Sequence, residues 1–262
     1  MHSIRFTIVA ACLAAAGCAQ AVRPVTSPAV PARDALIVLP GFGYGPAGEA
    51  AFRKLAPSMA ADGIDLYVPT YVRRRGLNAS RARLQQDLRD LRLQRYERVH
   101  VFAFLAGGWT VNPLIDAGAI SNLATIVYDR SPYQERAPRV ARDRLPLLTW
   151  LRYGSTVFDL ARTRYTPVTT EEVRIGLLVE TRPTAFMKRF AKTADRQGVY
   201  DFECDAFRQR HEDCIYTPLD HTELYSHFAE VWPEVLTFIR GGRFSVTADR
   251  TPPPSTTLAG RR

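Results

Sequence analysis

The sequence predicts an α/β protein. It has a mostly parallel sheet with helices on both faces and a helical cap inserted late in the chain. Three observations carry this expectation. Short unbroken apolar runs, such as Ala35-Leu36-Ile37-Val38-Leu39, have the form of strands buried on both faces. Longer stretches of helical spacing separate these runs, and that alternation is the signature of parallel strands joined by helical crossovers. A long excursion between the fourth and fifth strand patterns holds helical segments of its own, so it reads as a cap rather than a structureless loop.

Taken in order, residues 35–39 form the first expected strand. Residues 50–61 have helical spacing, and Asp62-Gly63 ends that helix. Residues 64–68 are the second strand. Residues 82–94 form an amphipathic helix with Leu84, Leu88 and Leu91 on one stripe. A third strand at 99–104 leads into a helix at 108–117, and a fourth strand lies at 123–128. The cap is expected at about 130–172, with helices at 145–153 and 157–161. Strands at 173–179 and 214–217 follow, then a last helix at 225–240 with Phe228, Val231, Val235 and Phe238 facing inward. There are no internal repeats. At 262 residues the chain can bury a sizeable core.

Both ends read as non-domain segments. Arg5 precedes the apolar stretch Ile8-Val9-Ala10-Ala11-Cys12-Leu13-Ala14, which is too short to span a bilayer and has the form of an export signal. Ala15-Ala16-Gly17-Cys18 resembles the lipobox of bacterial lipoproteins, in which the cysteine becomes lipid-modified after cleavage. Ala15 departs from the usual leucine. The resemblance implies residues 1–18 as signal, a lipid on Cys18 and, because Ala19 follows rather than aspartate, an outer-membrane anchor. Ordinary cleavage after Ala19-Gln20-Ala21, giving a soluble periplasmic or secreted protein, stays open. Residues 19–33 read as a tether, the domain as 34–242, and the Pro-rich residues 243–262 as a disordered tail.

The net charge of +9 comes mostly from arginine, since Lys54, Lys188 and Lys192 are the only lysines. Such a balance is either compositional bias or an attraction to anionic partners. Export argues against nucleic acid. An oxidising compartment permits Cys204 and Cys214 to pair, with two free thiols as the alternative. Their spacing with His211 and His221 fits no zinc pattern, and no metal or other cofactor is expected.

The order of elements across residues 34–242 resembles the α/β-hydrolase superfamily. Four features carry the resemblance. A strand ends in Gly41-Phe42-Gly43, where the family has an oxyanion-hole loop. A strand, tight turn and helix occupy 99–117. A cap-like insertion follows. A late short strand leads to Leu219-Asp220-His221 and a final helix. The resemblance implies a nucleophile elbow, normally G-x-S-x-G. Here that segment is Ala103-Phe104-Leu105-Ala106-Gly107, so its small residues are kept and Leu105 stands in the nucleophile position. A leucine cannot form an acyl-enzyme. His221 best matches the functional histidine, with a structural loop histidine as the other reading. The acid is either Glu180 or Asp129. Ser58 imitates the motif inside a helix pattern, His100 reads as a packing residue, and Thr110 falls within the helix after the elbow.

Ligands of open parallel sheets bind at the carboxyl ends of the strands. Those ends carry Phe42, Arg73, Leu105, Arg130, Arg182 and His221. Arginine recognises carboxylate and phosphate through paired hydrogen bonds. The expectation is therefore a catalytically silent hydrolase-fold lipoprotein that binds an anionic, partly apolar molecule such as a phospholipid or glycolipid. Surface ion pairing of the same arginines is the alternative. A second function stays open, an ester hydrolase using Ser131 in Arg130-Ser131-Pro132 as an unconventional nucleophile.

Overall fold

The computed structural model describes Val25, residues 33–255, Thr257 and Leu258. Cys18, the expected signal and nearly all of the expected tether lie outside the described residues. The elements run β1 (Asp34–Leu39), α1 (Pro46–Ala61), β2 (Ile64–Tyr67), α2 (Leu77–Asp90), β3 (Arg98–Ala103), α3 (Leu105–Asp116) and β4 (Leu123–Arg130). The cap follows as α4 (Ala137–Arg144), α5 (Pro146–Tyr153) and α6 (Thr156–Arg162). The chain then forms β5 (Arg174–Glu180), α7 (Ala185–Arg189), α8 (Ala191–Asp195), β6 (Asp213–Thr217), α9 (His221–Ser226) and α10 (Phe228–Gly241).

The strands form one sheet in the order β2-β1-β3-β4-β5-β6, and every adjacent pair is parallel. The apolar runs explain how it is covered. Ala35, Ile37 and Leu39 of β1 join the core on one face, packed with Leu84 and Leu88 of α2 and Val111 and Leu114 of α3. Leu36 and Val38 join the core on the other, with Phe52, Ala56 and Met59 of α1 and Val235 and Phe238 of α10. A strand that is apolar at every position from Ala35 to Leu39 fits a sheet buried on both faces.

The chain moves outward from β1 to β2, then returns across β1 to form β3. This reversal leaves a crevice at the carboxyl ends of β1 and β3, the place where open α/β sheets bind ligands. Disulfide Cys204–Cys214, with a sequence separation of 10, ties the segment before β6 to the strand itself.

Several boundaries differ from the sequence expectation. Helix α1 begins at Pro46, since proline is suited to the first helical turn. Helix α2 starts five residues early, after Gly76 at φ 107°, and stops at Asp90, two residues before Arg92 adopts a left-handed backbone. The cap carries an additional helix, α4, whose highly charged sequence hid it. The expected last helix is two helices that meet at His227. The expected disordered tail is corrected over residues 243–255. Phe244 is buried against Phe238, with ring centroids 4.8 Å apart, and the Phe244 N–H donates to Asp213 at 2.9 Å. Tyr216 N–H donates to Asp249 O at 2.9 Å, so the tail also satisfies part of β6. The prolines alone pointed to disorder, whereas one buried aromatic and these bonds fix the segment.

Candidate functional site

Leu105 opens α3 directly after Phe104, whose backbone is extended at φ −64°, ψ 156°. Among the described residues, only Arg92 and Arg208 combine a side chain with positive φ, so Leu105 carries no left-handed strain. The small residues of the elbow do serve close packing. A Cβ on Gly107 would lie 2.5 Å from Leu39 O, so only glycine lets α3 seat this tightly against β1. The β1 loop turns at Gly43, with φ 92°, and brings Gly41 against Ala106.

The carboxyl ends of β4 and β5 and the start of α9 meet on the other side of Leu105. Asp129 ends near the tip of β4, Glu180 is the last residue of β5, and His221 is the first residue of α9. Asp220 caps α9 through Thr222 N–H and Glu223 N–H, and Glu223 returns a bond to the Asp220 N–H, which fixes the angle at which His221 leaves the sheet. His221 Nδ1 lies 2.8 Å from Glu180 Oε1 and 3.1 Å from Asp129 Oδ2. Both acids named as alternatives therefore sit on one imidazole nitrogen.

The other nitrogen faces a residue that the sequence reading passed over. His221 Nε2 is 3.3 Å from Tyr225 Oη, and that hydroxyl accepts the Gly41 N–H at 2.8 Å. The Tyr225 ring stacks on Phe104 with centroids 4.3 Å apart. The four-residue spacing of His221 and Tyr225 places both on one face of a helix, and this was the available signal. Starting the last helix at 225 concealed it.

The electrostatics follow from this packing. Burial disfavours an imidazolium at His221, but the Glu180 charge and the hydrogen bonds that His221 donates to Asp129 and Glu180 outweigh it and push its pKa up to about 10. Burial, then the neighbouring Asp129 carboxyl, hold Glu180 well above the usual carboxylate range. The cluster titrates as a unit. Burial also keeps the Tyr225 phenol neutral well beyond its ordinary range. An imidazolium is a donor and not a general base, for which a pKa near the working pH is needed.

Asp129, Glu180 and His221 also form the one group among the described residues whose ligand atoms, all within 4.8 Å of one another, could hold a metal ion. Their mutual hydrogen bonds already account for the arrangement.

Beside this cluster opens a cavity of about 700 Å³, within the size range of small-molecule sites. Its floor is Phe42, Leu105, Ala106 and His221, and the cap supplies most of its walls, including Leu148, Leu151, Tyr153 and Leu160. The Phe42 and Tyr153 rings meet edge to face at 5.1 Å, joining the β1 loop to the cap.

The arginines expected at the site do not converge on it. Arg130 is buried, bonded to Glu135 at 2.7 Å and lying over the Tyr165 ring at 4.1 Å. Arg182 is half exposed and paired with Glu223 at 3.2 Å. Arg73 anchors the cap through its carbonyl, which accepts from Thr156 Oγ1. None of the three lines the cavity, which takes Arg152 instead. Ser131 is buried, its Oγ accepts Gln134 N–H at 3.3 Å, and it lies outside the cavity lining. Thr110 bonds to Ala106 O at 2.7 Å, His100 is buried within β3, and Ser58 is exposed on α1.

No family model and no curated protein matches this sequence. Solved structures do match its fold. The mature lipase BlEst2 of Bacillus licheniformis is similar with a TM-score of 0.58 at 13% identity, covering 82% of this chain and 96% of its own. The type II thioesterase BorB of the borrelidin biosynthetic cluster is similar at 0.55 and 15% identity, covering 84% of this chain and 96% of its own. The type II thioesterase YbtT of the yersiniabactin pathway is similar at 0.51 and 12% identity, covering 86% of this chain and all of its own. At these identities the likeness is one of fold.

Proposed function

On an α/β-hydrolase fold whose elbow ends in leucine, we propose that this chain binds a lipid-like molecule and does not hydrolyse it. The observation that carries the reading is the cavity lining, where Leu105, the residue that the resemblance sets in the nucleophile position, stands with His221 and offers no attacking oxygen. Three features support it. His221 is held as an imidazolium, so it has no free acceptor for a nucleophile's proton. Its outward nitrogen already faces Tyr225 Oη. The cavity walls are mostly leucines, alanines and aromatics, with Glu135 on the lining already paired to Arg130, and they favour an acyl chain over a polar substrate. The ligand is mostly apolar, with Arg152 and Gln134 available to a polar or anionic head. Export, with a lipid on Cys18 holding the protein at the outer membrane, belongs to the same proposal and rests on residues 1–18. Ser131 gains no support as a nucleophile, because its hydroxyl is turned to the backbone of Gln134.

Displacement of a fluorescent fatty-acid analogue tests the proposal. Saturable binding, weakened when Ala141→Trp fills the cavity, is the expected result. Absence of binding to fatty acids and to phospholipids alike would overturn it.

A further inference from the structure

Six large apolar side chains stand exposed among the described residues, and four of them belong to one short helix of the cap. In α5, Leu147 is 68% exposed, Leu148 60%, Trp150 56% and Leu151 52%. Only Thr149 of this helix is buried. A monomeric protein in water has no use for such a concentration of apolar surface, and its neighbours bear on what covers it.

Those neighbours are cationic. Residues 139–153 hold Arg139, Arg142, Arg144 and Arg152 against one acid, Asp143. Exposed Arg74 and Arg75 approach from the loop after β2, and Arg74 Nη2 donates to Leu151 O at 2.5 Å. Arg139 and Arg144 turn to Gln197 and Thr193, and Arg142 pairs with Asp143. Leucines and a tryptophan beside exposed Arg74, Arg75 and Arg152 fit the boundary between acyl chains and anionic headgroups. There the apolar side chains enter and the guanidinium groups stay with phosphate. The apolar face of a protein partner would more often be matched by a polar rim of both signs than by exposed arginines alone.

The same helix is also a wall of the cavity. Leu148, Leu151 and Arg152 line it while remaining exposed to the outside. We infer that α5 is a membrane-docking element that seats the mouth of the cavity on a bilayer containing anionic phospholipid. An acyl chain can then move between bilayer and cavity past the leucines of α5 without crossing water. This surface goes beyond the binding reading and stands whether or not the elbow is silent. A second contact of this kind, beside a lipid on Cys18, would orient the protein and not only retain it.

The test uses the full chain with Cys18→Ser, so that no acyl group is attached. Its partition into phosphatidylcholine vesicles is measured with and without phosphatidylglycerol, and its tryptophan emission with bromine-labelled acyl chains. Stronger partition with phosphatidylglycerol is expected, weakening as salt is raised. Quenching is expected to fall in Trp150→Phe while that variant still partitions. Leu147→Ser/Trp150→Ser should lose roughly tenfold or more of the partition, read by sedimentation. Both sites are exposed and lie outside the cavity lining, and an unchanged urea midpoint verifies the fold. Equal partition of the double serine variant, or quenching that Trp150→Phe leaves intact, overturns the inference. Self-association that depends on α5, with no vesicle binding, overturns it in favour of a protein interface. Fatty-acid displacement by the same variants in solution reads the cavity separately, so the two readings fail independently.

Discussion

Replacing Tyr225 with phenylalanine removes one oxygen and isolates what it does. The ring should stay, because its stacking on Phe104 at 4.3 Å and its edge contact with Tyr44 at 5.6 Å do not need the hydroxyl. Two groups lose a partner. The buried Gly41 N–H loses its acceptor at 2.8 Å, and His221 Nε2 loses a longer contact at 3.3 Å. A buried donor left unsatisfied costs about 1–3 kcal/mol. The His221 contact adds little, since it is long and borders the cavity, so about 2 kcal/mol is expected in total. For a domain of this size each kcal/mol moves Tm by about 2–4 °C, which gives a fall of about 4–8 °C. Urea unfolding with an unchanged slope and a lower midpoint is the assay, with amide exchange at Gly41 as a local reading. An unchanged midpoint together with a protected Gly41 amide would refute the bond between Gly41 and Tyr225.

The remaining predictions are stability measurements. Gly107→Ala places a Cβ 2.5 Å from Leu39 O, and overpacking against backbone should cost about 1–3 kcal/mol by urea unfolding. An unchanged midpoint would show that α3 and β1 can separate freely. Burial lowers His100 from 6.5 to about 4, so its contribution to stability is complete above pH 6.5 and is lost as pH falls through 4. The difference in unfolding midpoint between the native chain and His100→Gln should therefore change across that window, and a parallel profile would contradict it. His221 acts with the opposite sign. Its raised pKa gives stability that is complete below pH 6.5 and is lost as pH rises through about 10, which His221→Gln should abolish. Opening the Cys204–Cys214 bridge, which closes a short loop, should cost about 2–3 kcal/mol, read as a reductant-dependent fall in Tm that is absent in the Cys204→Ala/Cys214→Ala chain.

The strands were legible because a parallel sheet buried on both faces leaves short, mostly apolar runs, and the six runs match the six strands closely although Asp65, His100 and Thr125 interrupt three of them. Leu105 was legible for a different reason. The packing against Leu39 demands glycine at position 107, so the spacing of small residues marks the turn between β3 and α3, and with it Leu105. Side-chain direction was not legible. Asp129 and Arg130 are neighbours on β4 and so point to opposite faces, one toward His221 and the other toward Glu135 and Tyr165. Nearness to a strand end therefore said little about which arginines reach the cavity. The acids could not be ranked from sequence because β4 and β5 lie side by side and both deliver a carboxylate to one nitrogen. Tyr225 was missed through a helix boundary. The Asp220–Glu223 capping box, present in the sequence, would have started α9 at His221 and put Tyr225 one turn away. Exposure of α5 was equally hidden, because leucines and a tryptophan at helical spacing read as core until the packing around them is known.

The most direct test of the central claim is the intact mass of the protein after exposure to a fluorophosphonate. The account predicts no adduct on the native chain. One is expected at position 105 in Leu105→Ser/Tyr225→Phe, forming faster as pH rises toward 10, where an attacking oxygen is supplied and His221 Nε2 is released from Tyr225 and loses its proton. An adduct on the native chain that disappears in His221→Ala would contradict it, and would mean that a nucleophile other than residue 105 serves this cavity.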